Sequence, residues 1–481
     1  MKKLNFKKKI KLKNQRASNV VKLLKKYSTK EWIHSIRSLN LFHGIGEDIN
    51  DNIKTKPEFL VVAADFAIRI SKPNGLGNNP TIDQISYLLN SEIDLTDGPN
   101  NFIKLFGLGG VSLLATWQNR FHYNQSNMIG RMHLLYNNYN NHLIDTLNIS
   151  IEDIYLIFLA LLAVYEDKNK IFFKKNAIMS KDVPSLSEEK IDRFLSYFAI
   201  TQNEYVKKAK NEKIYEKTFG KFKYLIRYPI IEIENDLFVI PVFEQLIDTI
   251  SNNLYFLLLE SFSKISKTES GKFLTEFGTV LENYVLELAK QQFGAKKIVD
   301  ANKIVKDKSK DRCEAVIFYN ERALAIEVKK MNFKRDALVD MDKEHIDDLL
   351  KKHIVKAFKQ IETTLEYIRY KNYYGLIVIP DIMIGLSMIR SYVETTFKES
   401  ANFDKNIFIC TLSSYEALMS NSEDNIFLIL DNVKNRDFNE GDDINIVMID
   451  MINNHHNISF INSFLQRASE KSLLKLQHLR G

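Results

Sequence analysis

Cysteine, proline and glycine are all scarce in this chain of 481 residues, and each scarcity removes a class of architecture. Two cysteines, Cys313 and Cys410, build neither a disulfide framework nor a CxxC zinc pair, and so few thiols suit a reducing compartment. Eight prolines and seventeen glycines leave no Pro/Gly-rich linker, so any domains are expected to be closely coupled. Long apolar runs are missing as well. The longest, residues 154–165 (IYLIFLALLAVY), is flanked by Glu152, Asp153, Glu166 and Asp167. It is too short to span a bilayer and reads as a buried helix. No apolar stretch of signal-peptide type follows the N-terminal charges, and a cytoplasmic protein without a transmembrane segment is expected.

Acidic residues are missing locally. Residues 1–30 hold 12 Lys/Arg and no Asp/Glu, so everything after them is net acidic although the whole chain is +7. Such an arm could neutralise phosphates, lie on an anionic membrane through the interspersed Leu4, Phe6, Ile10 and Leu12, or serve only as a solvated end.

What the chain does have is apolar material, 45% of its residues, enough for two or three domains with real cores. After the basic arm of residues 1–30, helical periodicity dominates residues 31–212 and predicts a mainly α-helical N-terminal domain. Its predicted helices cover 19–41, 81–89, 111–120, 141–147, 151–165 and 187–210. The period then changes. Two β-rich runs, 224–233 and 237–242, flank Glu234-Asn235-Asp236 and predict a hairpin, followed by a helix over 243–263. Residues 213–265 thus form a junction to a C-terminal domain, 266–481, whose predicted order is helix, strands, helix, strand. That order fits a mixed sheet flanked by helices, an α/β plan within an α+β whole.

The chemistry concentrates in DRCEAVIFYNERALAIEVKK, residues 311–330. Residues i and i+2 of a strand share a face, so Glu327 and Lys329 project together. If the strands over 314–319 and 323–329 pair through the turn Asn320-Glu321-Arg322, Glu314 returns to the same sheet end. Two carboxylates and an ammonium then converge. Hard oxygen ligands of this kind can hold Mg²⁺ together with waters and a substrate phosphate. The ion polarises a phosphoryl oxygen and activates water, and Lys329 could stabilise the developing charge.

The segment resembles the PD-(D/E)XK phosphodiesterase superfamily, in which an acid opens one strand and Glu-x-Lys lies on the next. The resemblance implies that Glu314 stands where Asp is usual and that Glu327 and Lys329 complete the motif. Glu for Asp lengthens the ligand by one methylene, and Asp311 stands nearby as an alternative. The preceding helix carries Glu282 where the superfamily often has a helical Glu near the metal. Gln360, seven residues before Tyr367 in KQIETTLEY, is similar to the Gln on the helix after Glu-x-Lys. The resemblance covers residues 225–420 and implies Glu282, Glu314, Glu327, Lys329 and Gln360 as catalytic residues. Its metal ligands would be Glu314, Glu327 and Glu282, with Mg²⁺ as the ion and Mn²⁺ as the alternative.

Two functions are therefore expected to compete. One is a nuclease acting on DNA in preference to RNA, similar to bacterial nucleases of restriction or antiviral defence, as a homodimer or with a companion subunit. The other is a nuclease fold kept for nucleic-acid or partner binding. Lys330, Lys334, Arg335, Lys351, Lys352, Lys356 and Lys359 could line a phosphate groove, but they alternate with acids as a solvated surface does. The run Gly107-Leu108-Gly109-Gly110 lacks the Gly-Lys-Ser/Thr of a phosphate loop. The aromatic and amide residues of 117–125 could stack on bases, but helical aromatics are more often core. His455-His456 has no partner at metal-ligand spacing.

Overall fold

The computed structural model describes residues 18–43, 57–72, 75, 77–85, 87–88, 125–167, 170–179, 186–209, 223–251, 254–331, 343–381, 386–435 and 444–478. Residues 1–17 of the basic arm, the glycine run at 107–110, the predicted helix over 111–120, the aromatic cluster at 117–124 and Lys334 and Arg335 lie outside these. The fold is mixed α and β, with one mixed sheet in each of two compact units. Among the described residues no single helix is long and apolar enough to cross a membrane. The apolar run at 154–165 lies in the helix Ile151–Glu166, whose Ile154, Ile157, Phe158 and Leu161 are buried.

The first unit comprises Met1–Leu105, Tyr139–Phe256 and Gln477–Gly481. Its sheet contains β1 (Phe172–Phe173), β2 (Ala199–Thr201), β3 (Ile230–Glu234) and β4 (Leu237–Val239), in the order β1-β4-β3-β2. The expected hairpin is β3–β4, closed at Asp236 with φ of 56°. Three elements differ from expectation. The predicted helix 19–41 breaks before Thr29–His43, because Ser28 and Glu31 form a reciprocal cap, Glu31 N to Ser28 Oγ and Ser28 N to Glu31 Oε2. The predicted helix 187–210 is split by β2, which pairs in parallel with β3 and so depends on a partner remote in sequence. The run at 224–233 begins as a helix, Lys223–Arg227, before β3. The helix Pro57–Ile70 was not expected, and the short strands β1 and β2 lie within the mainly helical stretch 31–212.

The second unit comprises Phe106–Asn138 and Leu257–Leu476. Its described residues form five strands: β5 (Ile298–Asp300), β6 (Ala315–Tyr319), β7 (Arg322–Val328), β8 (Asn372–Ile379) and β9 (Ile407–Thr411). They lie in sequence order. The pairs β5/β6 and β6/β7 are antiparallel, whereas β7/β8 and β8/β9 are parallel. Each parallel connection passes through helices, as parallel strands require. One sheet face packs Val316, Ala323, Ala325, Ile377 and Ile409 against Phe358 and Ile361 of the helix Lys356–Glu366. Leu324, Ile326, Leu376 and Val378, of the opposite parity, are buried too, so β7 and β8 are covered on both faces and mostly apolar, with Glu327 the buried exception.

Candidate active site

Register brings the acids together. In the β6–β7 hairpin Tyr319 pairs with Arg322 and Ala315 with Ile326. The regular register ends there: Glu314 N also donates to Ile326 O, at 3.0 Å, so Ile326 is opposed by two residues as at a bulge. Glu314 is thereby held at the end of β6 near Glu327, on whose carboxyl its charge acts. Lys329, two residues beyond Glu327, emerges on the same face as Glu327. The hairpin closes on Asn320 with φ of 52°, a backbone conformation that Asn tolerates.

Glu327 is wholly buried. Its Oε1 accepts a hydrogen bond from Lys329 Nζ, and its Oε2 has no partner among the described residues. Burial pushes this carboxyl up to about 8, with Lys329 opposing the shift and the charges of Glu314 and Glu282 adding to it. Glu314, half-buried, is pushed up to about 7 by burial and by Glu282, against Lys329, with Asp300 adding. Burial raises Glu282 too, opposed by Lys329 and Lys330. The three acids thus act on one another around one ammonium, and neighbouring carboxylates out of water resist ionising together.

Gln360 is a positioning residue. Its Oε1 accepts from Lys329 Nζ at 2.7 Å, and its Nε2 donates to Arg312 O at 2.9 Å. One turn later Thr364 Oγ1 accepts Cys313 N at 3.0 Å. The helix is thereby attached to the backbone leading into Glu314 while it holds the lysine. Tyr367 takes no part in this: it is 43% exposed, under the Lys310 ammonium. Asp311 is exposed, 3.8 Å from Lys356, and is not among the charges acting on Glu314 or Glu327. Lys330 folds away to donate to Leu274 O, crossing the helix Lys267–Phe293 at Gly278, where an added Cβ would lie 3.1 Å from Nζ.

Among the described residues no three His, Cys, Asp or Glu side chains close around one point as a finished metal cage. The donors present nevertheless fit a hard cation that keeps most of its water. They are anionic oxygens, and one, Glu327 Oε2, is buried without a partner. Leaving such an oxygen unsatisfied costs about 1–3 kcal/mol, which ligation would recover.

Sequence reasoning passed over three features. Asp300 caps the short helix Ala301–Ile304 and acts on Glu314. His353 sits in the π-helical turn Lys351–Val355 that precedes the Gln360 helix. Arg131, from the helix Gln125–Tyr136, binds buried acids beyond β8 and β9: Glu416 through Nε at 2.5 Å and NH2 at 2.7 Å, and Asp381 through NH1 at 2.6 Å. The Arg131 partners come from distant chain positions, so no spacing announced them. His353 had a signal, seven residues before Gln360 on a continuous helical pattern.

Compared with known proteins, the chain matches no family model, no curated protein and no solved structure.

Proposed function

We propose that the chain is a metal-dependent nuclease of PD-(D/E)XK type that hydrolyses phosphodiester bonds. The observation that carries this reading is the convergence of Glu314, Glu327 and Lys329 at one end of the β6–β7 hairpin, with Lys329 bonded to one Glu327 oxygen and the other oxygen left without a partner among the described residues. Glu327 Oε2 and Glu314 are the residues that would hold Mg²⁺ or Mn²⁺, with Glu282 beside them. When bound, such an ion supplies Lewis acidity and a hydroxide at neutral pH.

The chain's own residues do the rest. Glu314 and Glu327, once ionised, would be the ligands of that ion. Lys329, which donates to Glu327 Oε1, is the ammonium that would face the phosphoryl oxygens, where charge develops. Gln360 keeps Lys329 within reach. DNA as the favoured substrate, a role in bacterial defence and a companion subunit come from the superfamily resemblance, and a cytoplasmic setting from the sequence composition, which the buried thiols Cys313 and Cys410 suit. A second reading, a nuclease fold kept for binding, is favoured by the lack of a closed three-acid cage among the described residues.

A cleavage assay on single- and double-stranded DNA and RNA with Mg²⁺ or Mn²⁺ separates the two. Lys329→Ala and Glu327→Ala are expected to lower cleavage by ~10²–10³-fold or more, Glu314→Ala comparably, and Asp311→Ala little. A folded Lys329→Ala protein that cuts like wild type would remove the site from this position. No cleavage by the wild type with either ion would leave the binding reading.

A further inference from the structure

The elements that border the acids are joined a second time, by a separate set of hydrogen bonds. Lys330 Nζ crosses the helix Lys267–Phe293 at Leu274 O and Gly278, and Glu282 stands one turn further along that face. Tyr284, buried on the same helix, donates to Glu416 Oε1 at 2.6 Å. On the strand side Lys329 N donates to Val378 O at 2.9 Å, and Asp381 follows three residues later. Asp381 accepts Ser413 N at 3.0 Å and Ser413 Oγ at 2.6 Å, which ties the chain after β8 to the helix Leu412–Leu418 after β9.

Arg131 closes this set. It donates to both oxygens of Glu416, to Asp381 through NH1 at 2.6 Å and to Ser413 Oγ through NH2 at 2.7 Å. One guanidinium thus joins the helix of Glu282, through Glu416 and Tyr284, to the carboxyl ends of β8 and β9, the ends at which open α/β sheets bind ligands. Its rigid fork of donors makes this possible; a lysine is a single point of charge. The arginine is itself firmly seated. Asn127 donates to Phe460 O at 2.8 Å and accepts Asn462 N at 3.0 Å. At Gly130 the helix Gln125–Tyr136 runs so near Leu465 that an added Cβ would lie 2.2 Å from its carbonyl oxygen. Tyr136 stacks on Phe277, on the helix of Glu282, with ring centroids 5.6 Å apart. Arg131 also lies outside residues 225–420, so the superfamily resemblance does not account for it.

We propose that Arg131 and Tyr284 are positioning residues of the active site. Through Glu416 and Asp381 they hold the helix of Glu282 against the end of β8, and so set the place of Glu282 beside Lys329 and Lys330. The consequence for cleavage rests on the nuclease reading; the positioning itself rests on the hydrogen bonds alone.

The test compares Tyr284→Phe and Arg131→Lys with Tyr374→Phe in the full-length chain. Tyr284→Phe removes only the hydroxyl on Glu416, and Arg131→Lys keeps the charge but loses the fork. Tyr374→Phe removes a hydroxyl on Asp431 near the start of β8, a similar loss at the other end of the strand. Hydrogen exchange of the metal-free chain is read by mass spectrometry on peptides covering 274–284 and 327–331. It should quicken there by about tenfold in the first two variants, the effect of one hydrogen bond to a charged group, and not in Tyr374→Phe. With Mg²⁺ and a DNA substrate, kcat should fall by about tenfold in the same two variants at unchanged KM, as when an outer-shell partner is lost. Exchange in these peptides equal to that of Tyr374→Phe would overturn the proposal, and so would a kcat equal to that of Tyr374→Phe. Exchange quickened in Tyr284→Phe and Arg131→Lys alone, with no strand cut even by the wild type, would uphold the positioning and sink the nuclease reading instead.

Discussion

Two buried carboxylates in the second unit, Glu416 and Glu327, have opposite surroundings. Each is almost wholly out of water. Glu416 receives Arg131 through two nitrogens, one to each oxygen, and Tyr284 OH at 2.6 Å on Oε1. Glu327 receives Lys329 on one oxygen and nothing on the other. Burial raises both, but the charges on Glu416 are led by a guanidinium that lowers it again. Glu327 has two further carboxylates raising it. A buried charge with complete partners specifies structure, whereas one with a free lone pair retains capacity for a ligand.

The largest expected effect breaks the satisfied side of this comparison. Arg131→Met leaves Glu416 and Asp381 without their cation and should destabilise the chain by about 3–5 kcal/mol in urea unfolding. A loss under about 1 kcal/mol would show that the neighbouring Tyr284 and Ser413 hydroxyls suffice.

A smaller effect, of opposite character, belongs to the unsatisfied side. The folded-state values of Glu327 and Glu314 are raised above the ordinary value near 4.5, to about 8 and about 7. The folded chain therefore holds protons that the unfolded chain releases, and metal-free stability should fall as pH rises from about 4.5 through about 8. Mg²⁺ binds the ionised acids, so its stabilisation should grow over that same range. Melting curves at pH 6 and pH 8.5, with and without Mg²⁺, measure both trends. Glu327→Gln should flatten them; a variant as pH-dependent as wild type would assign the trend to other groups.

The smallest effect concerns Gly278. Alanine there should change stability by less than about 1 kcal/mol, because the gain in helix propensity opposes the displacement of Lys330, a flexible side chain. A loss of several kcal/mol in urea unfolding would mean that Lys330 is locked against this helix and cannot move aside.

The β6–β7 hairpin was legible because its information is local: alternation, a polar turn, and an acid and Glu-x-Lys at its open end. The same holds for the Gln360 helix. Interruptions set by remote partners were not. β2 exists because Ala199–Thr201 pairs with Ile230–Glu232, and no local pattern in 187–210 announces that. The Ser28–Glu31 cap, by contrast, was written in S-T-K-E and went unread within a longer helical pattern. At the site, spacing could select Glu327 and Lys329 but not decide between Asp311 and Glu314. In the fold Glu314 lies near Glu327 and acts on it, whereas Asp311 is exposed beside Lys356, and His353 depended on a π-turn that a regular helical period does not foresee.

The run of regular rungs from Tyr319–Arg322 to Ala315–Ile326, which lies between the two acids, also constrains how this hairpin could change over time. Adding a rung to the ladder adds one residue to each strand, so hairpins of other lengths keep the two acids in the same relation only when the separation between acid and Glu-x-Lys stays odd. A single inserted residue within either strand would turn one carboxylate to the opposite side of the sheet, unless a bulge absorbed it. Divergent sequences can therefore be screened by the parity of that interval even where no residue between the two acids is retained.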